Sequence, residues 1–181
     1  MRLGIGLICA LLVAAPALAQ QHDPGLDQKI VLGSFTLSGG QSAEVLVDVG
    51  YNFNNVVGYS IKMDYVDNPN SGSWASDMKL DIFPATGPAT TRGGYDSSPV
   101  NVWDFDGFGS DQTGTYTSGP HYDWPAPGIA KDGIWRFVVK NDWSFSPAVQ
   151  YNNFSVTLHK IPEPATLSLL ALGSLALLRR R

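Results

Sequence analysis

Apolar and polar side chains alternate along most of the middle of this chain. Val45, Val47 and Val49 alternate with Glu44, Leu46 and Asp48. Val57, Tyr59, Ile61, Met63 and Tyr65 alternate with Gly58, Ser60, Lys62 and Asp64. The same rhythm runs through residues 78–83, 135–140 and 153–159. A period of two puts alternate side chains on one sheet face, so each run predicts a half-buried strand. Turn-forming clusters separate the runs: Ser38-Gly39-Gly40, Asp67-Asn68-Pro69-Asn70, Thr86-Gly87-Pro88 and Lys131-Asp132-Gly133. No sustained helical period occurs between them. Short strands divided by such turns predict an all-β fold, an antiparallel β-sandwich of jelly-roll-like type. Residues 90–128 are richer in Gly, Pro, Ser, Thr and Asp, with aromatics spaced through them. They read as long ordered loops carrying short strands near residues 100–105 and 114–117. Residues 20–26 read as a lead-in.

Both ends of the chain break the pattern. Arg2 precedes an apolar run over residues 3–15, followed by Ala17-Leu18-Ala19. One positive charge, a short apolar region and a small-x-small site at Ala17 and Ala19 predict a signal peptide over residues 1–19. Signal peptidase is its expected processing enzyme. The single cysteine, Cys9, lies inside that segment, so the mature chain is expected to lack thiol and disulfide chemistry. At the other end, Pro162-Glu163-Pro164 interrupts regular structure, because each proline fixes φ and removes a donor. Residues 165–178 are apolar and rich in Leu and Ala, a short transmembrane helix by expectation. Arg179, Arg180 and Arg181 follow and would hold that terminus on the cytoplasmic side. The expected organisation is therefore a signal peptide (1–19), a β-sandwich domain (20–160) and a terminal signal (161–181).

The terminal signal resembles the PEP-CTERM sorting signal in all three parts: Pro-Glu-Pro, a short apolar span, and a basic cluster. That resemblance implies processing by an exosortase. It also implies an intermediate anchored in the inner membrane, then delivery to the cell surface or extracellular matrix. A second resemblance is to the P-domain of subtilisin-like proprotein convertases, a jelly roll. It rests on residues 73–87 and on Gly133-Ile134-Trp135 with the strand that follows, then an Asp-containing turn and a closing strand at 153–158. The resemblance implies a fold and no activity, since P-domains accompany proteases without catalysing.

Charge narrows the function. The chain carries 12 Lys and Arg against 16 Asp and Glu. Four of the basic residues and one acid, Glu163, lie in the end segments, leaving residues 20–160 with a net charge of −7. Such a domain repels nucleic acid and anionic lipid. His22, His121 and His159 are scattered, which disfavours zinc. Neither a nucleophile-elbow Gly-x-Ser-x-Gly nor a phosphate-binding glycine loop is present. Asp104, Asp106 and Asp111 lie in a Gly-rich stretch that begins like a calcium loop. Phe108 and Thr115, however, stand where an EF-hand needs oxygen ligands. Ca²⁺ is thus the one candidate cofactor, set against a turn whose aspartates cap main-chain donors. Trp103, Tyr122 and Trp124 are candidates for stacking on sugar rings, against a packing role. The leading expectation is a non-enzymatic structural or adhesive matrix protein, with no catalytic residue. The alternatives are a carbohydrate-binding module on exopolysaccharide, and a secreted hydrolase with a dispersed carboxylate pair.

Overall fold

The computed structural model describes residues 24–50, 55–95, 102–105, 112–125, 128–130, 133–144 and 147–161. Ala17, Ala19, Asp106, Asp111, Pro162, Glu163, Pro164 and the three terminal arginines fall outside the described residues. Within the described residues, nine strands form two antiparallel sheets, and no helix is long and apolar enough to cross a membrane. The strands are β1 (Gln28–Leu37), β2 (Ser42–Asp48), β3 (Asn55–Val66), β4 (Met78–Phe83), β5 (Thr90–Gly93), β6 (Gly114–His121), β7 (Ile129–Ala130), β8 (Ile134–Asn141) and β9 (Val149–Ile161). One sheet has the order β1-β9-β3-β6, with β7 also pairing β3. The other has the order β2-β8-β4-β5. The two stretches that carry the P-domain resemblance at 133–141 and 153–158 thus end up in different sheets, as β8 and β9.

Alternation in the sequence becomes inside and outside in the sandwich. Met78, Leu80 and Ile82 of β4 and Trp135, Phe137 and Val139 of β8 are fully buried. They face Tyr59, Ile61, Met63 and Tyr65 of β3 and Tyr151, Phe154, Val156 and Leu158 of β9 across one core. Trp124 meets Trp135 edge-on, with ring centroids 5.8 Å apart, and donates from Nε1 to Pro88 O at 3.0 Å. Buried indole N–H groups need such partners.

The structure corrects the expectations between residues 90 and 128. Residues 90–93 form a strand, β5, and the predicted 114–117 strand runs on to His121. Residues 102–105 form no strand. There the chain turns inward, and Trp103 and Phe105 stack with centroids 5.5 Å apart. Phe105 meets Tyr116 of β6 at 5.3 Å, and Trp103 Nε1 donates to Met78 O of β4 at 2.6 Å. These aromatics plug the side where β5 and β6 are the free edges of their sheets.

A polar clasp closes the same side. Arg92 of β5 donates from Nη2 to Asp123 Oδ1 at 3.0 Å, while Thr90 Oγ1 donates to Asp123 Oδ2 at 2.5 Å. Both charged side chains are mostly buried. Removing one partner of such a pair leaves the other charge uncompensated. Asp123→Ala is therefore expected to cost about 3 kcal/mol, checked by denaturant unfolding. A loss below about 1 kcal/mol would mean that the pair behaves like a surface ion pair.

The two sheets share their ends. Leu37, Asn141, Met78 and Val149 gather at one end, where Asn141 Nδ2 donates to Leu37 O at 3.3 Å and Gly40 N donates to Asn141 O at 2.8 Å. Gln28, Asp48, Asn55, Ile134 and Ile161 gather at the other. β9 is 13 residues long and spans the distance between them, roughly 40 Å at the rise of a strand.

Candidate functional site

Three groups of chemistry-bearing side chains stand out, and strand placement decides what each can do. The first is Asp104, Ser118 and His121. Ser118 and His121 lie on β6, three residues apart, and Asp104 lies in the loop that crosses its edge. Ser118 Oγ is 2.8 Å from His121 Nε2 and also hydrogen-bonds the Asp104 carboxylate. A carboxylate only accepts, so the Ser118 proton goes to Asp104 and His121 Nε2–H donates to Ser118. Gly119 N adds a bond to Asp104 Oδ1 at 3.0 Å. Acid and serine both sit on the Nε2 side of the ring. A relay for nucleophilic catalysis needs the acid on the opposite nitrogen, so this group braces the loop.

Electrostatics agree with that role. Burial raises the Asp104 carboxyl, but the Ser118 hydroxyl, the Gly119 N–H and His121 outweigh it and hold the group below the usual carboxylate range. Burial first, then the Arg92 charge, pushes His121 down from its usual 6.5. A neutral His121 therefore stabilises the fold fully above pH 6.5. That contribution fades as pH falls below 6.5, because the unfolded chain binds the proton first, and levels off past the folded-state value. Between pH 7 and 5 the wild type is expected to lose more thermal stability than His121→Gln, as measured by melting at both pH values. Parallel losses would contradict it.

The second group is Asp27, Ser60 and His159. Asp27 Oδ2 lies 2.9 Å from His159 Nδ1, and Ser60 Oγ lies 3.1 Å from His159 Nε2. This order does match a general-base relay. Its setting does not. Ser60 sits mid-strand in β3, which is paired on both sides by β6 and β9. Ser60 pairs with Thr157 of β9 and lies at the register shift of the β3–β6 ladder. Gly119 also packs on Ser60, since a Cβ built at Gly119 would lie 2.9 Å from Ser60 Cα and Cβ. In the 153–159 alternation His159 falls in the polar phase, opposite to Phe154, Val156 and Leu158. It is buried instead, because β9 is interior to its sheet and Asp27 and Tyr122 cover the outer side.

The third group lines a shallow surface pocket of about 200 Å³. Its walls include Trp74, Tyr95, Val102, Ser76 and Asp77, with Trp103 beneath. Trp74 is 45% exposed and Tyr95 is 59% exposed. Tyr95 stands against Trp143 with centroids 4.5 Å apart, and Trp143 is fixed by an Nε1 bond to Ser71 O at 3.1 Å. Asp77 closes the short 3₁₀ turn Ala75–Asp77, and its Oδ2 accepts Trp74 N–H at 2.7 Å. Burial and then Asp142 push the Asp77 carboxyl upward, despite the Trp74 hydrogen bond. The pocket lies at the Asn141–Met78 end of the sandwich, since Asp142 N donates to Asp77 O at 3.0 Å.

The predicted site residues scatter across these groups. Trp103 and Trp124 are each 1% exposed. They are core residues, unable to offer a ring face to a ligand, because the segments before and after β6 that carry them pack into the open side of the sandwich. Tyr122 is 54% exposed, but it covers His159 on the outer sheet face, away from the pocket. Of the predicted calcium ligands only Asp104 is described, and it is engaged as above. Among the described residues no group of three or more His, Cys, Asp or Glu side chains is placed to hold a metal ion. The sequence reading passed over Trp74 and Tyr95 as site residues. Alternation could not mark Trp74, which falls in the phase of the buried Met78, Leu80 and Ile82 and is turned outward by the 3₁₀ turn Ala75–Asp77.

Comparison with known proteins adds one specific match and one distant one. The PEP-CTERM protein-sorting motif matches residues 160–181. No curated protein matches the chain. Among solved structures, the chain is similar to Aeromonas hydrophila PliG, a periplasmic lysozyme inhibitor of g-type lysozyme. Identity is 12%, the match covers 74% of this chain and 85% of that one, and the TM-score is 0.26, too low to carry an argument. The motif begins at Lys160, inside β9, so the sorting segment follows the folded sheet without a spacer. What the chain is similar to with specificity is therefore the PEP-CTERM class of sequences: it carries at residues 160–181 the motif that marks exported proteins sorted by an exosortase.

Proposed function

We propose that this protein is a non-catalytic, adhesive component of the cell surface or extracellular matrix, presented by its sorting segment. The observation that carries this reading is a polarity in the sandwich. The sorting segment leaves from the Ile161 end, and the exposed aromatic pocket lies at the opposite end, roughly 40 Å along β9.

The junction makes that polarity effective. Ile161 is fully buried and paired with Asn55. The apolar run starts four residues further on, at Ala165, no more than about 14 Å of extended chain away. While residues 165–178 are in the inner membrane, the Ile161 end faces the bilayer and the pocket faces outward. The acidic domain is held off anionic lipid by its own charge, so the tail alone supplies membrane contact. Processing then passes the sandwich to the surface or matrix.

Cells producing the full chain test the reading by fractionation. The protein is expected in the surface and matrix fractions, and to be released from washed matrix when polysaccharide is digested. Protein found wholly in the inner membrane, or soluble in the medium with no matrix association, would overturn it.

A further inference from the structure

The geometry points to the Trp74–Tyr95–Asp77 pocket as a binding subsite for an uncharged saccharide. This inference rests on the reading above, that the domain acts by binding at the end away from its sorting segment.

Three features favour a sugar over other occupants. One aromatic ring and the backbone of the other are held before binding: Trp143 props Tyr95, and the Asp77 hydrogen bond to the Trp74 main chain fixes the turn that carries Trp74. A rigid aromatic surface suits the flat C–H face of a pyranose, and little ordering entropy is lost. Polar groups stand beside the rings. Asp77 offers acceptor capacity, since a carboxylate has about four lone-pair sites and Trp74 N–H takes one, and sugar hydroxyls are donors at close spacing. Charge selects against the alternatives. An anionic polymer meets a domain of net charge −7. For a cation, the nearby Asp142 is already paired with Lys140 Nζ at 2.5 Å. An apolar side chain would leave the remaining Asp77 acceptor sites unused beyond the Trp74 N–H bond. The small size of the pocket limits it to one ring of a longer polymer, so affinity comes from repeated display along a matrix.

The test uses the full chain in detergent, titrated by calorimetry with neutral glucan and galactan oligosaccharides and with the neutral fraction of the producing cells' own exopolysaccharide. Wild type is expected to bind at least one of them. Trp74→Ala and Tyr95→Ala are each expected to weaken binding about tenfold, with unchanged circular dichroism. Tyr122→Ala, on the other sheet face, is expected to bind like wild type. Equal binding by wild type and both pocket variants overturns the site and leaves the adhesive reading standing. No saccharide bound, with matrix retention intact in cells, also overturns the site alone. No saccharide bound and no matrix retention overturns both. Binding of tetramethylammonium in place of any sugar, lost in Trp74→Ala, overturns the saccharide assignment in favour of a cation.

Discussion

Gly93→Ala is expected to unfold the sandwich or leave it only marginally stable, with a loss above about 4 kcal/mol. Gly93 ends β5 with φ of +76°, a conformation that costs an L side chain roughly 1–2 kcal/mol by itself. Space adds more. A Cβ there would lie 1.9 Å from Trp103 Nε1 and 2.2 Å from Met78 O, the two atoms of one buried hydrogen bond. Trp103 would have to leave the core, breaking that bond and its stack on Phe105. Gly40→Ala is the matching control. Gly40 has the same φ of +76° with nothing within 4 Å of its would-be Cβ, so it should lose only about 1–2 kcal/mol. Urea unfolding of both variants separates strain from collision. Similar losses would mean that Trp103 is not seated as described.

Replacing Pro162, Glu163 and Pro164 together by alanine is expected to abolish processing and leave full-length protein in the inner membrane. The physical reason lies at the junction. β9 is interior to its sheet and buried up to Ile161. Pro162 and Pro164 lack the N–H donors that a ladder needs, so the sequence there opposes any extension of the strand. Alanine removes both the stop and the recognised motif. Immunoblots of fractionated cells check this outcome. Normal processing of the triple variant would show that the apolar span and arginines suffice, and that Pro-Glu-Pro only ends the domain.

The strands with strict alternation were legible because each keeps one face in the core and one outside. β4 is the plainest case: Met78, Leu80 and Ile82 are buried, and Lys79, Asp81 and Phe83 less so. β1 and β5 were not legible. In β1 the register shifts around Gly33, which breaks the period. β5 is four residues long and reads Thr-Thr-Arg-Gly, with no apolar side chain. It owes its place to hairpin pairing with β4 and to the long-range Arg92–Asp123 clasp, neither of which shows in the alternation. β6 was half legible. Tyr116 marks its inner face, but Ser118 and His121 occupy later buried positions and read as loop. The candidate site was the least legible part. A sequence shows which aromatics sit in loops, but not which of those loops fold into the core. Trp103 and Trp124 fill the side of the sandwich, while Trp74 and Tyr95 are left at its surface. The sorting motif was readable, because its signal is linear and needs no tertiary contact.

That linear signal carries the proposed delivery and orientation, because it marks the chain as an exported protein sorted by an exosortase. Intact-mass spectrometry of the protein recovered from the surface and matrix fraction tests it most directly. The account predicts a mature chain that begins near Gln20 and has lost residues 165–181, with its new terminus within Pro162–Pro164. A surface species still carrying Arg179, Arg180 and Arg181, or a full-length species confined to the inner membrane, would contradict it.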